Sequence, residues 1–184
     1  MSTRRNSYIF MAVAAAIVLV LDQITKLWVT ANIEPGETVS IVDGFARFRF
    51  TQNSGASFGL FPDSSGVISV LAMLVIIGIL VAFVRLGHPS KLSVLAAGLV
   101  VGGALGNLVD RLRLGYVVDF VDVYGPHLTI GDRIYTWPVF NVADSAITVG
   151  TILVMAGILF TGELARREEK TPAHPIGKAE EREA

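Results

Sequence analysis

The sequence predicts an α-helical integral membrane protein with four transmembrane helices and a small β-hairpin outside the bilayer. Three observations predict it. The chain has 184 residues, 52% hydrophobic and 17% charged, and its mean hydropathy of +0.59 is too apolar for an ordinary soluble domain. The apolar residues gather into four long runs, and a membrane span needs about 20 of them. The polar segments 32–66 and 110–138 fall on one side of an even-span arrangement, and the first has strand character. A net charge of -1 offers no global attraction for nucleic acid. The absence of cysteine excludes disulfides, thiolate metal sites and a cysteine nucleophile.

The first run follows Arg4-Arg5 and extends from Tyr8 to Leu21, then past Asp22 to Leu27-Trp28-Val29. Small residues at Ala12-Val13-Ala14 would suit a cleaved signal peptide. The run continues well beyond them, and Trp28 suits a membrane interface, so it is read as a retained helix. In the loop 32–66, Val39-Ser40-Ile41-Val42 and Ala46-Arg47-Phe48-Arg49-Phe50 flank Asp43-Gly44, the pattern of a hairpin. Its phenylalanines would face lipid and its arginines headgroups or protein, or the whole hairpin would be a solvated edge. Val67 to Val84 is the second span and Leu92 to Val109 the third. Gly98, Gly102 and Gly106, with Gly103 beside them, predict close helix packing rather than chemistry. Residues 110–138 read as a second polar loop, and the fourth span runs from Val139 to Phe160. These elements make a membrane unit of residues 1–166, followed by a charged tail, 167–184, read as disordered and cytoplasmic.

Arg4, Arg5, Arg85, Lys91, Arg166, Arg167 and Lys170 fall on one side, which the positive-inside rule makes cytoplasmic, with both termini. Arg47, Arg49, Arg111, Arg113 and Arg133 lie opposite and weaken the bias. In this topology Asp22, Lys26, Asn53, Asn107, Asp110, Arg111, Asp119, Asn141 and Asp144 all lie near the outer leaflet. An Asp at a helix centre costs roughly 2.5–3.5 kcal/mol to insert, so such residues point to function.

Asn107-Leu108-Val109-Asp110 and Asn141-Val142-Ala143-Asp144 share an Asn-x-x-Asp pattern that sets an amide and a carboxylate on one helix face. Asp110 has Arg111 beside it, and Asp22 has Lys26 at i+4; both read as structural pairs or caps. Asp119 and Asp144 have no such partner. Two carboxylates brought together in a low dielectric share one proton, giving an acid and a base for peptide hydrolysis. Ion binding or proton relay would use the same pair. A Ser54–Lys26 dyad is a further option. The histidines are scattered and no His-Glu-x-x-His occurs, so a zinc site is not predicted.

Several blocks together carry a resemblance: Asp22-Gln23-Ile24-Thr25-Lys26, Asn53-Ser54-Gly55-Ala56-Ser57-Phe58-Gly59, Gly102 through Arg111, Val117-Val118-Asp119-Phe120, and Phe140-Asn141-Val142-Ala143-Asp144-Ser145. In order and spacing the chain closely resembles the bacterial lipoprotein signal peptidases, or signal peptidase II. The resemblance implies an aspartyl peptidase with four transmembrane helices and an extracytoplasmic β-cradle in the bacterial inner membrane. It implies a catalytic pair at Asp119 and Asp144. Supporting active-site positions would be Asp22, Asn53, Asn107, Asp110, Arg111 and Asn141. The implied substrate is a diacylglyceryl-modified prolipoprotein, cleaved on the N-terminal side of its lipidated Cys. The implied inhibitor is the cyclic peptide globomycin, and neither metal nor organic cofactor is implied. Two rival readings use the same acids: a proton- or cation-coupled carrier, and a lipoprotein-binding scaffold without catalysis.

Overall fold

The computed structural model describes residues 2–55, 64–85, 90–125, 127–130 and 133–170. Among the described residues, four helices and five short strands follow in the order α1 (Ser2–Asn32), β1 (Thr38–Val42), β2 (Ala46–Asn53), α2 (Ser64–Arg85), α3 (Lys91–Leu114), β3 (Val117–Val123), β4 (His127–Ile130), β5 (Arg133–Thr136) and α4 (Val142–Lys170). Residues 56–59 of the second resemblance block, the loop 86–89 and the tail from 171 lie outside the described residues. α4 extends to Lys170, past the position where the sequence reading ends the membrane unit.

α3 is the central helix and packs against α1, α2 and α4. Its glycines are the reason it can. A Cβ at Gly98 or Gly102 would press on the α1 backbone at Met11 and Ala15, and one at Gly103 on Ala143 and Ile147 of α4. A Cβ at Gly106 would meet both Asp22 of α1 and Ala143 of α4. The predicted packing role of these glycines holds. α1 and α3 are each long and apolar enough to cross a membrane; α2 and α4 carry shorter apolar stretches, Ser69–Val81 and Val142–Gly157. On α1, Ile17 (54%), Ile24 (58%) and Leu27 (56%) are exposed, and α2 exposes Val70, Leu71 and Leu74 in the same way. Contiguous apolar surface of this kind marks a face that lipid or protein covers.

The hairpin forms where the sequence places it. Asp43-Gly44 turns the chain, Gly44 takes a positive φ of 76°, and β1 pairs antiparallel with β2. Its phenylalanines turn away from the predicted side, while Arg47 meets protein as predicted. Phe50 is buried and Phe48 half-buried in a cluster with Val29, Ile33, Val118 and Phe120, so these rings pack on protein and not on lipid. Trp28 of α1 meets Phe48 edge-on at 5.7 Å. The Arg47 guanidinium turns to buried Asp122, with Nε 2.7 Å from Oδ2.

The segment 110–138 is not the polar loop the sequence suggests. α3 continues through Asp110 and Arg111 to Leu114, where Gly115 closes it in the left-handed conformation and donates its N–H to Arg111 O. Arg111 and Arg113 suit a helix C-terminus, where the carbonyl dipoles favour positive charge. β3 then adds to β2, completing a sheet of order β1-β2-β3. Val117, Val118 and Phe120 are buried in it. β3 is covered on both faces, so it lacks the alternation that signals a strand.

Candidate active site

Two backbone arrangements bring Asp119 and Asp144 into one site. Asp119 sits on β3 opposite Thr51 of β2. The far edge of β3 is covered by Phe140, whose carbonyl accepts the N–H of Phe120 (3.0 Å) and of Val121 (2.8 Å). The residue after this bridge is Asn141, the start of α4. Its Oδ1 accepts the Asp144 N–H at 2.8 Å, and Asp144 Oδ2 accepts the Asn141 N–H at 3.2 Å. That reciprocal pair is a capping box, and it satisfies amides that the first helical turn would leave orphaned. The carboxylate of Asp144 also sits at the positive end of the helix dipole.

Amides join the two acids. Asn141 Nδ2 donates to Asp119 Oδ1 at 2.7 Å and to Asn107 Oδ1 at 3.1 Å. Asn107 Nδ2 donates to Asp144 Oδ1 at 2.8 Å, and Asn53 Nδ2 to Asp119 Oδ2 at 2.9 Å. Each carboxylate therefore receives a side-chain amide, and Asn141 spans from one acid to the other. Asp119 is 2% exposed. Burial pushes its carboxyl up to about 6; the hydrogen bond from Asn53 opposes this, the charge of Asp144 adds to it, and Asn141 and Lys26 oppose it. Thr51, Asn53, Ser54, Asp119, Pro138 and Val139 line a cleft of about 300 Å³ open to solvent.

Two further acids anchor the elements that carry the pair. Asp22 Oδ1 of α1 accepts the Ala143 N–H at 2.9 Å, tying the start of α4 to α1. Asp110 Oδ2 of α3 accepts the Val118 N–H at 3.1 Å, tying β3 to α3. Lys26 pairs with both, with Nζ 2.9 Å from Asp22 Oδ2 and 2.8 Å from Asp110 Oδ2. The predicted Asp22–Lys26 pair forms. The predicted Asp110–Arg111 pair does not: successive helical residues diverge by about 100°, and Asp110 turns to α1 while Arg111 turns to the site. There the Arg111 guanidinium feels the charges of Asp144, Asp119 and Asp110, and its Nε is buried without a hydrogen-bond partner among the described residues. Gln23 was not among the predicted site residues, and Lys26 was read only as a partner of Asp22 or of Ser54. Gln23 Nε2 donates to Asp110 Oδ1 at 3.0 Å, and its place in the Asp22–Lys26 block was the available signal. The Ser54–Lys26 dyad is not formed, because the Lys26 ammonium is spent on Asp22, Asp110 and Asn107.

The family described as Signal peptidase (SPase) II matches residues 14–160. The chain belongs to the signal peptidase II family. Among its relatives, the lipoprotein signal peptidase of Syntrophomonas wolfei is 41% identical over 154 residues, spanning 84% of this chain and 93% of that protein. The lipoprotein signal peptidase of Sphingopyxis alaskensis is 36% identical over 178 residues, spanning 94% and 99%. A solved structure described as a bacterial membrane enzyme, determined in meso at 1.9 Å, superposes with a TM-score of 0.72 at 28% identity, covering 81% of this chain and 92% of that one. Signal peptidase II membership makes the chain a membrane peptidase. The carrier reading finds no support among these relatives.

Proposed function

We propose that the chain is an aspartyl endopeptidase that cleaves diacylglyceryl-modified prolipoproteins on the N-terminal side of the lipidated Cys, with Asp119 and Asp144 as the catalytic pair. The observation that carries this reading is the amide bridge, in which Asn141 contacts both acids and Asn107 and Asn53 hold one each. The two acids differ in surroundings. Asp119 is more deeply buried than Asp144 and its carboxyl is raised to about 6. It is the member that holds the proton, and Asp144 is the base. Asp144 takes a proton from water as the oxygen attacks the scissile carbonyl, and Asp119 donates to the carbonyl oxygen. As the gem-diol collapses, Asp144 passes its proton to the departing amine and Asp119 takes one back from a diol hydroxyl, so the pair returns to its starting protonation. The Arg111 guanidinium supplies positive charge where the oxyanion develops.

α1, α2, α3 and α4 each cross the inner membrane in this proposal, with both termini cytoplasmic, residues 1–166 as the peptidase unit and 167–184 as a cytoplasmic tail. The apolar surfaces of α1 and α2 and the basic residues Arg85 and Lys91 on the side away from the acids support it. A diacylglyceryl Cys is anchored at the outer leaflet by its acyl chains, so acids at that depth meet the scissile bond without extracting the substrate. Globomycin inhibits the enzyme in this proposal. The test is purified enzyme with one prolipoprotein in diacylglyceryl-modified and unmodified forms, with product masses read by mass spectrometry. The expected result is a single cut immediately before the modified Cys, blocked by globomycin. A cut elsewhere, or equal cleavage of the unmodified form, overturns the reading.

A further inference from the structure

Lys26 makes three contacts, and two of them suffice to explain why a lysine is buried there. Its side chain is 3% exposed and pairs with Asp22 and Asp110. The third contact is to a neutral amide oxygen, Asn107 Oδ1, at 2.9 Å. An ammonium only donates, so it accepts no orientation of Asn107 except oxygen inward. The amide nitrogen is then forced to the opposite side, where it donates to Asp144 Oδ1 at 2.8 Å. The other end of the network is fixed by the same logic. The backbone N–H of Asp144 only donates, so Asn141 gives it Oδ1 and turns Nδ2 to Asn107 Oδ1 and Asp119 Oδ1. With Lys26 absent, the flipped Asn107 would be opposed only by Asn141 Nδ2, whose two hydrogens can go instead to Asp119 Oδ1 and to Val118 O at 3.3 Å. The Asn107 oxygen would then face Asp144, which could meet it only by carrying a proton.

We infer that Lys26 is a positioning residue for the reaction, fixing the Asn107 amide so that Asp144 always meets a donor and stays the ionised member of the pair. This inference rests on the aspartyl reading above. The charged groups facing Asp144 are Arg111 of α3 and Asp119 of β3; those facing Lys26 are Asp22 of α1, Asp110 of α3 and, at longer range, Asp119 of β3. A purely structural lysine would matter for folding and leave the pH profile in place. A positioning lysine moves the acid limb of kcat, which reports ionisation of the base.

The test compares wild type, Lys26→Arg, Lys26→Gln/Asp22→Asn and Asn107→Asp, each with a thermal melt and a kcat and KM pH profile on the lipid-modified prolipoprotein. Arg is also donor-only and keeps the Asn107 amide in place. The double variant keeps the net charge of the cluster while allowing either amide orientation. Asn107→Asp keeps Lys26 and presents an acceptor to Asp144, as the flipped amide would. Expected are an acid limb unmoved in Lys26→Arg, and a limb about one pH unit higher with kcat down about 10- to 100-fold in the double variant and in Asn107→Asp, the scale of one lost charge-assisted hydrogen bond. KM stays near wild type. Equal acid limbs in wild type and the folded double variant overturn the inference, since the carboxylate added in Asn107→Asp moves the limb by its own charge whatever Lys26 does; a lysine none of whose variants folds is structural, which overturns it too. Asp144→Asn is run beside them: cleavage retained there removes the aspartyl reading itself, while cleavage lost there with unmoved limbs elsewhere removes only the role of Lys26.

Discussion

Gly106 offers the sharpest structural perturbation. A Cβ placed there lies 2.5 Å from Asp22 Oδ2 and 3.1 Å from its Cγ, with Ala143 Cβ at 3.3 Å. Ordinary contact between these atoms begins about 1 Å further out, so Asp22 or α4 has to retreat by about that much. Asp22 is fully buried and has no room to swing. Its two oxygens hold the Ala143 N–H and the Lys26 ammonium, so the retreat is passed to the start of α4, where Asn141 and Asp144 sit. Overpacking of this kind costs about 1–3 kcal/mol. A displacement of about 1 Å at a reacting group costs on the order of 100-fold in rate. Gly102→Ala is the matched comparison. Its Cβ would meet Ala15 O at 2.6 Å and Val18 Cβ at 2.8 Å, the same crowding one turn away from the acids. Gly78→Ala, with nothing within 4 Å, meets no neighbour and gains about 1 kcal/mol of helix propensity. Thermal melts and cleavage rates per folded molecule should separate the three. Gly102→Ala and Gly106→Ala both lose stability, Gly106→Ala alone loses about 100-fold in kcat, and Gly78→Ala loses neither. A Gly106→Ala enzyme within threefold of wild type, or an equal kcat loss in Gly102→Ala, refutes the reasoning.

A carboxyl raised to about 6 keeps its proton below that pH and loses it above, so kcat/KM falls as pH rises through about 6; a profile flat from about pH 5 to about pH 8 contradicts the assignment of the proton to Asp119. Because the folded state binds that proton more tightly than the unfolded chain, whose value is 3.8, stability falls as pH rises from 3.8 to about 6 by about 3 kcal/mol, and Asp119→Ala should flatten that slope in melts across the range. Thr51 Oγ1 is buried without a partner among the described residues, so Thr51→Val, which keeps the shape, should raise stability by about 1 kcal/mol in a denaturant or thermal melt, and a loss of that size would show that the hydroxyl is satisfied. Asp22→Ala leaves Lys26 and the Ala143 N–H short of a buried partner and should cost about 3–5 kcal/mol, read the same way.

The helices were legible because each is a long apolar run, and the first hairpin because Asp43-Gly44 is a local turn signal. β3 was not. Its partner β2 precedes it by a whole helical pair, and burial on both faces removes the alternation that marks a strand. The two acids were legible from cost alone: a carboxylate in an apolar environment needs a reason. Their roles as neighbours required the fold, since Asp119 reaches Asn141 only through the bridge between Val121 and Phe140. The Asn141–Asp144 spacing was read as a shared helix face; it is a capping box, a pattern that an Asn followed three residues later by an acid also spells. Lys26 was read as half of a local pair because its other acid, Asp110, lies on a different helix. The Asp110–Arg111 pairing failed for the converse reason, adjacency in sequence being divergence on a helix.

The most direct measurement is cleavage of a diacylglyceryl-modified prolipoprotein by wild type, Asp119→Asn and Asp144→Asn, with a melt on each. In either variant the new amide sets a donor against one already present, Asn53 or Asn141 at Asp119 and Asn107 or the Asn141 N–H at Asp144, so a modest loss of stability is expected. Both folded variants should lose at least about 100-fold in kcat, the scale of general acid–base catalysis. Turnover within tenfold of wild type in either folded variant would contradict the paired-carboxylate mechanism.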